Sequence, residues 1–287
     1  MTNGLHRRSL VSAAVEELAA SGVESPEADA VILLAHVLGV ELGQVALVDT
    51  VRPELAAIFR ELVSRRATRV PLQHLTGIAA FRLNDLAVGP GVCVPRPETE
   101  VLAGWVIDRA RELVGRGHVP RVVDLATGSG AIALAVATEV PEAEVHAVEL
   151  EESALVWAAR NLQGSSVDLR PGDMADAFAD LDGRVDIVVS NPPYIPLEAF
   201  ESVAVEVRDH DPALALWSGQ DGLDAIRVVA TVAARLLRPL GAVAVEHADV
   251  QGESVPAIFA ARGEWRDIRD HPDLAGRARF TTAVLAR

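Results

Sequence analysis

No lysine occurs anywhere in this 287-residue chain: all 26 basic residues are arginines, set against 41 acidic ones, for a formal net charge of −15. That balance argues against a broad nucleic-acid surface, which needs clustered basic charge. Cysteine is nearly absent too. Cys93 stands alone, which excludes an intrachain disulfide and any cysteine-rich metal centre and fits a reducing cytoplasm. Long apolar runs are missing, since nothing approaches the ~20 residues a membrane helix needs. After Arg7 and Arg8 an apolar run starts, but Glu16 and Glu17 interrupt it before it reaches the length of a secretory core. A cytoplasmic chain with no membrane segment is therefore expected. Low-complexity tracts are also lacking, and 50% of the residues are hydrophobic, so the chain is globular. Its length gives room for one large domain or two modest ones.

What is present first is helix. Val31, Leu34, Ala35 and Leu38 keep helical spacing behind Ser25-Pro26, and Leu55, Ile58, Phe59 and Leu62 share one face of a second segment. Breaks at Gly22, Gly39-Val40 and Thr50–Pro53 predict a small antiparallel bundle over residues 1–74. Its arginines Arg60, Arg65, Arg66 and Arg69 read as a solvated helix end. They are also its most distinctive exposed candidates for meeting an acidic partner. Residues 75–94 hold two short apolar stretches, Ala79–Phe81 and Leu86–Val88, divided by Asn84-Asp85, and predict a β-hairpin linker. From residue 95 to 287 strands and helices alternate, after a helix opening at Pro95–Glu100. Strands are predicted at Arg121–Ala126, Glu144–Leu150, Val167–Arg170, Val185–Ser190, Gly241–His247, Trp265–Arg269 and Arg279–Leu285. Such alternation builds a mostly parallel sheet covered on both faces. Only a turn separates the last two strands, so they should pair antiparallel. The expected fold is α/β and Rossmann-like, with seven strands and an antiparallel last one, the layout of class I S-adenosylmethionine-dependent methyltransferases.

Asn191-Pro192-Pro193-Tyr194 is the most informative tetrapeptide. It follows the apolar run Val185–Ser190, at the carboxyl end of a strand, where open α/β sheets bind ligands. Two consecutive prolines hold the backbone extended. The Asn191 side-chain oxygen and the Pro192 carbonyl can accept both hydrogens of a planar –NH2 group, and Tyr194 offers an aromatic wall.

Val122 to Ala133 is a strand, a glycine turn and a helix start. Gly128-Ser129-Gly130-Ala131-Ile132-Ala133 fits the dinucleotide pattern G-x-G-x-x-A, with Glu149 lying 21 residues after Gly128, so a dehydrogenase competes at this point. Two features favour S-adenosylmethionine. Asp124 suits a cationic amino-acid tail, whereas it would repel a pyrophosphate. The tetrapeptide grips an amino group and has no use in hydride transfer. Glu149 is expected on the ribose hydroxyls. Asp173 is expected on the adenine amino group, with Met174 as an apolar neighbour.

The chain resembles the protein-(glutamine-N5) methyltransferases that modify class I peptide chain release factors. The resemblance rests on Pro71–Gly77, Val94-Pro95-Arg96-Pro97-Glu98-Thr99-Glu100, the glycine turn, Asn191–Tyr194, Glu206-Val207 and Asp211–Leu216, and covers essentially the whole chain. A sister family acting on a ribosomal protein carries Pro-Arg-Ser-Pro in place of the Pro-Arg-Pro-Glu segment. The resemblance implies a helical substrate-docking domain, a hairpin linker and a methyltransferase domain acting on the glutamine of a Gly-Gly-Gln loop. Ala126, Thr127, Gly128, Ser129, Gly130, Glu149 and Met174 would line the cofactor, and Asn191 to Tyr194 would hold the glutamine. Ala126 stands where a glycine is common, Glu149 where aspartate is frequent, and Met174 where an aromatic is common. A monomer without metal or direct nucleic-acid binding is expected. The tetrapeptide alone also fits a nucleic-acid amino methyltransferase acting on a flipped base. A cofactor-binding scaffold is the non-enzyme alternative.

Overall fold

The computed structural model describes residues 4–286, and the chain divides into two compact units. One takes the chain up to Ile78 together with Ala204–His210; the other takes Ala79–Val203 and everything from Asp211 onward.

The first unit is a helical bundle. It opens on a strand, β1 (Leu5–His6), paired antiparallel with β2 (Thr50–Val51), two residues each and too short for the sequence to signal. Between and after them run α1 (Arg7–Ala20), α2 (Pro26–Leu38), α3 (Pro53–Ala67) and the short α4 (Leu72–Thr76). Pro26 and Pro53 occupy first-turn positions, where a missing N–H leaves nothing unpaired. Leu10, Leu18, Leu33, Leu34, Phe59 and Val63 form the core.

The arginine cluster is not the uniform exposed patch expected. Arg66 is 7% exposed. Its Nε donates to Asp29 Oδ2 at 2.7 Å, and its Nη atoms reach Glu206 Oε1 at 3.2 Å. Arg69 grips Glu206 with two bonds of 2.6 Å and also donates to the Gly22 carbonyl. Burial works to raise the Glu206 pKa, but the hydrogen bonds from Arg69 and Arg66 outweigh it and hold the group below its ordinary range. Only Arg60 and Arg65 of the four are exposed. Charge pattern could not reveal this, because Glu206 lies 137 residues beyond Arg69.

The second unit begins with the hairpin β3 (Ile78–Phe81) and β4 (Asn84–Ala87). The turn is at Arg82-Leu83 rather than at Asn84-Asp85, which lie within β4. Arg82 takes a left-handed φ of 53°, anchored by Glu139 through its guanidinium and by Glu100 through its N–H. Then α5 (Thr99–Gly115) leads into β5 (Arg121–Leu125), α6 (Ala131–Glu139), β6 (Glu144–Glu149), α7 (Glu152–Asn161), β7 (Asp168–Pro171) and β8 (Val185–Ser190). After α8 (Val205–His210), which belongs to the first unit, come α9 (Ala213–Leu216), α10 (Asp224–Leu236), β9 (Leu237–Glu246), α11 (Ser254–Arg262), β10 (Trp265–Pro272) and β11 (Ala278–Leu285).

The sheet order is β7-β6-β5-β8-β9-β11-β10. Five strands from β7 to β9 run parallel, and β11 is antiparallel to both neighbours. Strand alternation splits the core. Val122, Val145, Ile187 and Val189 pack beneath α5, α6 and α7, while Val123, Val148, Val188 and Val243 pack beneath α10 and α11. Strand order reverses between β5 and β8, and this is the crevice where such sheets take their ligands. Ser190 Oγ donates to the Leu125 carbonyl at 2.7 Å, tying the two strand ends that flank it.

Candidate active site

The glycine turn leaves β5 through three left-handed residues, Ala126 at φ 57°, Gly128 at 59° and Gly130 at 81°. The two glycines serve different ends. A Cβ on Gly130 would press on Leu162 at 3.1 Å, so this residue lets α6 and α7 approach. A Cβ on Gly128 would meet nothing within 4 Å, so its backbone faces open space, as a ligand-approach residue should. Ala126 adopts the same backbone with a side chain, at a steric cost.

Asp124 is 1% exposed at the end of β5. Its Oδ2 accepts from Thr127 Oγ1 at 2.6 Å and from the Ala133 N–H at 3.2 Å. Its Oδ1 has no hydrogen-bond partner among the described residues. Burial pushes its pKa up to about 7, against the two bonds it accepts. A buried acceptor oxygen lacking a donor, beside a glycine turn, is a fitting receptor for an ammonium group.

Glu149 ends β6, the next strand, and is likewise buried. The Gly128 N–H donates to its Oε2 at 2.7 Å and the Glu151 N–H to its Oε1 at 2.9 Å. The carboxylate thus shapes the turn, and each oxygen keeps a lone pair for a hydroxyl. Burial raises its pKa despite these bonds. Asp173 is exposed and accepts from the Ala175 N–H at 2.9 Å, the bond of a turn-capping residue. Met174 packs against the core beneath α10. Thr127 and Ser129 are buried in the turn.

At the end of β8, Asn191 Nδ2 donates to Thr99 Oγ1 at 3.2 Å. That bond commits the amide nitrogen and leaves Oδ1 as the acceptor. Pro192 is buried, while Pro193 and Tyr194 are half-buried. Tyr194 directs its hydroxyl inward to Glu246 Oε1 at 3.3 Å, and burial first, then the Glu246 charge, raises its pKa. Its carbonyl accepts from Gln251 Nε2 at 3.0 Å, and a Cβ on Gly222 would collide with it at 2.4 Å.

Sequence reasoning missed Thr99, Ser190, Gly222, Glu246 and Gln251 in this arrangement. Thr99 lay unread inside Pro-Arg-Pro-Glu-Thr-Glu. Glu246 carried the same signal as Asp124 and Glu149, a carboxylate closing an apolar strand. The remaining three act on backbone groups, and no motif marks them. Among the described residues, no group of His, Cys, Asp or Glu could hold a metal ion. None of their helices is long and apolar enough to cross a membrane.

A seven-stranded sheet of this order, with a glycine turn and acidic strand ends at its switch point, defines a class I methyltransferase that uses S-adenosylmethionine. A solved methyltransferase from Pyrococcus furiosus shares the fold, at a TM-score of 0.51 and 18% identity over 70% of this chain and 88% of that one. Residues 9–77 match the PrmC N-terminal domain, and residues 110–207 the methyltransferase small domain. A release factor glutamine methyltransferase of Streptomyces coelicolor is 57% identical over 278 residues, covering 96% of this chain and 97% of that protein. A 4-amino-L-phenylalanine/4-methylamino-L-phenylalanine methyltransferase of Streptomyces pristinaespiralis is 41% identical over 264 residues, 90% of this chain and 89% of its own. The chain belongs to the release factor glutamine methyltransferase family.

Proposed function

We propose that the enzyme methylates the side-chain amide nitrogen of glutamine in the Gly-Gly-Gln loop of class I release factors. The observation that carries this is the Asn191 amide, whose nitrogen is committed to Thr99 so that its oxygen is left to accept an N–H. An amide nitrogen is a weak nucleophile because its lone pair is delocalised into the carbonyl. The Asn191 oxygen and the Pro192 carbonyl accept its two hydrogens, draw density toward nitrogen and fix its direction. Positioning of this kind supplies up to ~7–11 kcal/mol in favourable cases. As the N–C bond forms the methyl–sulfur bond breaks to leave a neutral thioether, and the N-protonated amide cation so formed is acidic enough to lose its proton to water, so no histidine base is required.

Bound S-adenosylmethionine supplies the electrophilic sulfonium methyl. Asp124 Oδ1 would hold the ammonium of its amino-acid tail, Glu149 would accept from the ribose hydroxyls, and Ala126 to Gly130 would present backbone groups. Asp173 would meet the adenine amino group, with Met174 as its apolar neighbour. The helical bundle docks the folded protein substrate, and the enzyme acts as a cytoplasmic monomer without direct contact to nucleic acid. Labelled methyl transfer is tested with purified release factor, its Gln-to-Ala loop variant, ribosomal RNA and 4-aminophenylalanine. Incorporation confined to the unaltered release factor is expected. Preferential labelling of RNA or of the free amine would overturn the reading.

A further inference from the structure

Gln251 lies in the single 3₁₀ turn Asp249–Gln251 that follows β9, the strand paired with β8. It is 4% exposed, and both ends of its amide are engaged. Its Oε1 accepts from the Ala248 N–H at 2.9 Å. Its Nε2 donates to the Tyr194 carbonyl at 3.0 Å, with the Gly222 and Asp221 carbonyls next nearest at 3.4 and 3.5 Å. Turned over, the amide would set its oxygen against three carbonyls and its NH2 against an N–H, so one orientation alone is satisfied. Gly222 makes the room for it. A Cβ there would lie 2.4 Å from the Tyr194 oxygen and 2.9 Å from Gln251 Nε2.

Pro192 and Pro193 bring no N–H, so the tetrapeptide Asn191–Tyr194 has little backbone with which to anchor itself. Its upstream end is fixed at Ser190, which pairs with Val245 and bonds the Leu125 carbonyl. Downstream, Tyr194 is held twice, at its hydroxyl by Glu246 and at its carbonyl by Gln251. With ring and carbonyl both held, the φ and ψ of Tyr194 are set. The Pro193 ring fixes its own φ, which leaves the ψ of Pro193 as the one soft torsion between Tyr194 and the Pro192 carbonyl. Deprived of the Gln251 donor, the Tyr194 carbonyl turns to find another, and the Pro192 carbonyl swings with it. We propose that Gln251 is a positioning residue for methyl transfer: by holding the Tyr194 carbonyl it keeps the Pro192 carbonyl aimed at the acceptor amide. The proposal rests on Asn191 and Pro192 as the acceptor clamp.

Gln251→Met keeps the length of the side chain and removes its donor. It is compared with Asn191→Ala by steady-state kinetics on intact release factor and on a short peptide carrying the Gly-Gly-Gln loop, by calorimetric cofactor affinity and by thermal unfolding. Gln251→Met should lower kcat on intact release factor by roughly 10- to 100-fold, up to the scale for misplacing a reacting atom by about 1 Å, with KM and cofactor affinity within about twofold of native. The peptide's kcat/KM should fall by the same factor, because the defect lies at the acceptor and not at docking. Native kcat in Gln251→Met, whatever its melting temperature, would overturn the proposal and leave Gln251 a stabilising residue only. A loss confined to KM for the intact protein, or one matched by cofactor affinity, would overturn it as well. In each case a slow Asn191→Ala leaves the clamp standing, whereas native turnover in Asn191→Ala would overturn the clamp and the proposal together. Should Gln251→Met fail to fold, Gln251→Asn, which draws the donor back by one methylene but keeps the site polar, decides by the same criteria.

Discussion

Asp124 keeps one oxygen in reserve, and under the proposed role for that oxygen a proton becomes part of cofactor binding. With its pKa pushed up to about 7 by burial, the side chain is largely protonated below that value. An ammonium is best received by the anion, so binding below about 7 must release a proton. Raising the pH from about 6 to 7.5 should tighten cofactor binding, by up to about tenfold per unit on the acid side, and then level off. Calorimetry in two buffers of different ionisation enthalpy would detect the released proton, and Asp124→Asn should abolish both effects. pH-independent affinity in the native protein would assign the ammonium to another acceptor. Asn191→Ala should act on the other half of the site. Methyl transfer is expected to fall at least ~100-fold, the scale for losing a pre-organised polar contact, while cofactor affinity stays near native. Matching losses in both would show that Asn191 serves the cofactor instead.

The glycine turn shows how far residue identity reaches into an element. Ala126 holds φ 57° with a side chain. A left-handed L-residue costs about 1–2 kcal/mol, against about 0.5–1 kcal/mol for the freedom a glycine loses on folding. Ala126→Gly should therefore stabilise the protein by roughly 0.5–1 kcal/mol in chemical denaturation. A destabilised variant would mean that the Ala126 methyl makes contacts worth more than the strain. This element was also among the most legible in the sequence. Gly128 and Gly130 announced the turn, and Asp124 and Glu149 announced its acidic rim, because each sits at or just past the end of an apolar strand run. The hairpin was legible only as an element. Asn84 and Asp85 read as a turn, yet lie in β4, because Glu139 and Glu100 hold Arg82 in a conformation that local preference would give to glycine. Glu246 went unread for a related reason, since the hydroxyl it accepts from belongs to Tyr194, 52 residues away in sequence.

Across the whole molecule, the charge of the bundle divides by burial. Arg60 and Arg65 remain exposed and suit the rim of a docking surface, where charge acts on association more than on chemistry. Reversing both to glutamate should raise KM for intact release factor, most at low salt, with kcat unchanged. A short peptide carrying the Gly-Gly-Gln loop should be methylated as before. Unaltered KM for the intact protein would place docking elsewhere. Arg66→Ala should instead cost stability, about 3–5 kcal/mol, because Asp29 loses its ion pair and Glu206 one of its two guanidinium partners. Loss of cooperativity in the bundle's thermal unfolding would register it; an unchanged melt would show that Arg69 alone suffices.

Ala204–His210 leaves the sheet unit and folds with the bundle, so the chain crosses the boundary between units three times rather than once. The bundle is consequently not a cassette. A gene fusion or recombination event that exchanged everything up to Ile78 would bring in a foreign helix face while keeping the old Glu206, which Arg66 and Arg69 must match. Exchange of the whole helical unit between relatives requires three simultaneous junctions, or compensating changes in one of its two segments. Inheritance of this architecture should accordingly be wholesale, with the helical unit and the sheet unit descending together.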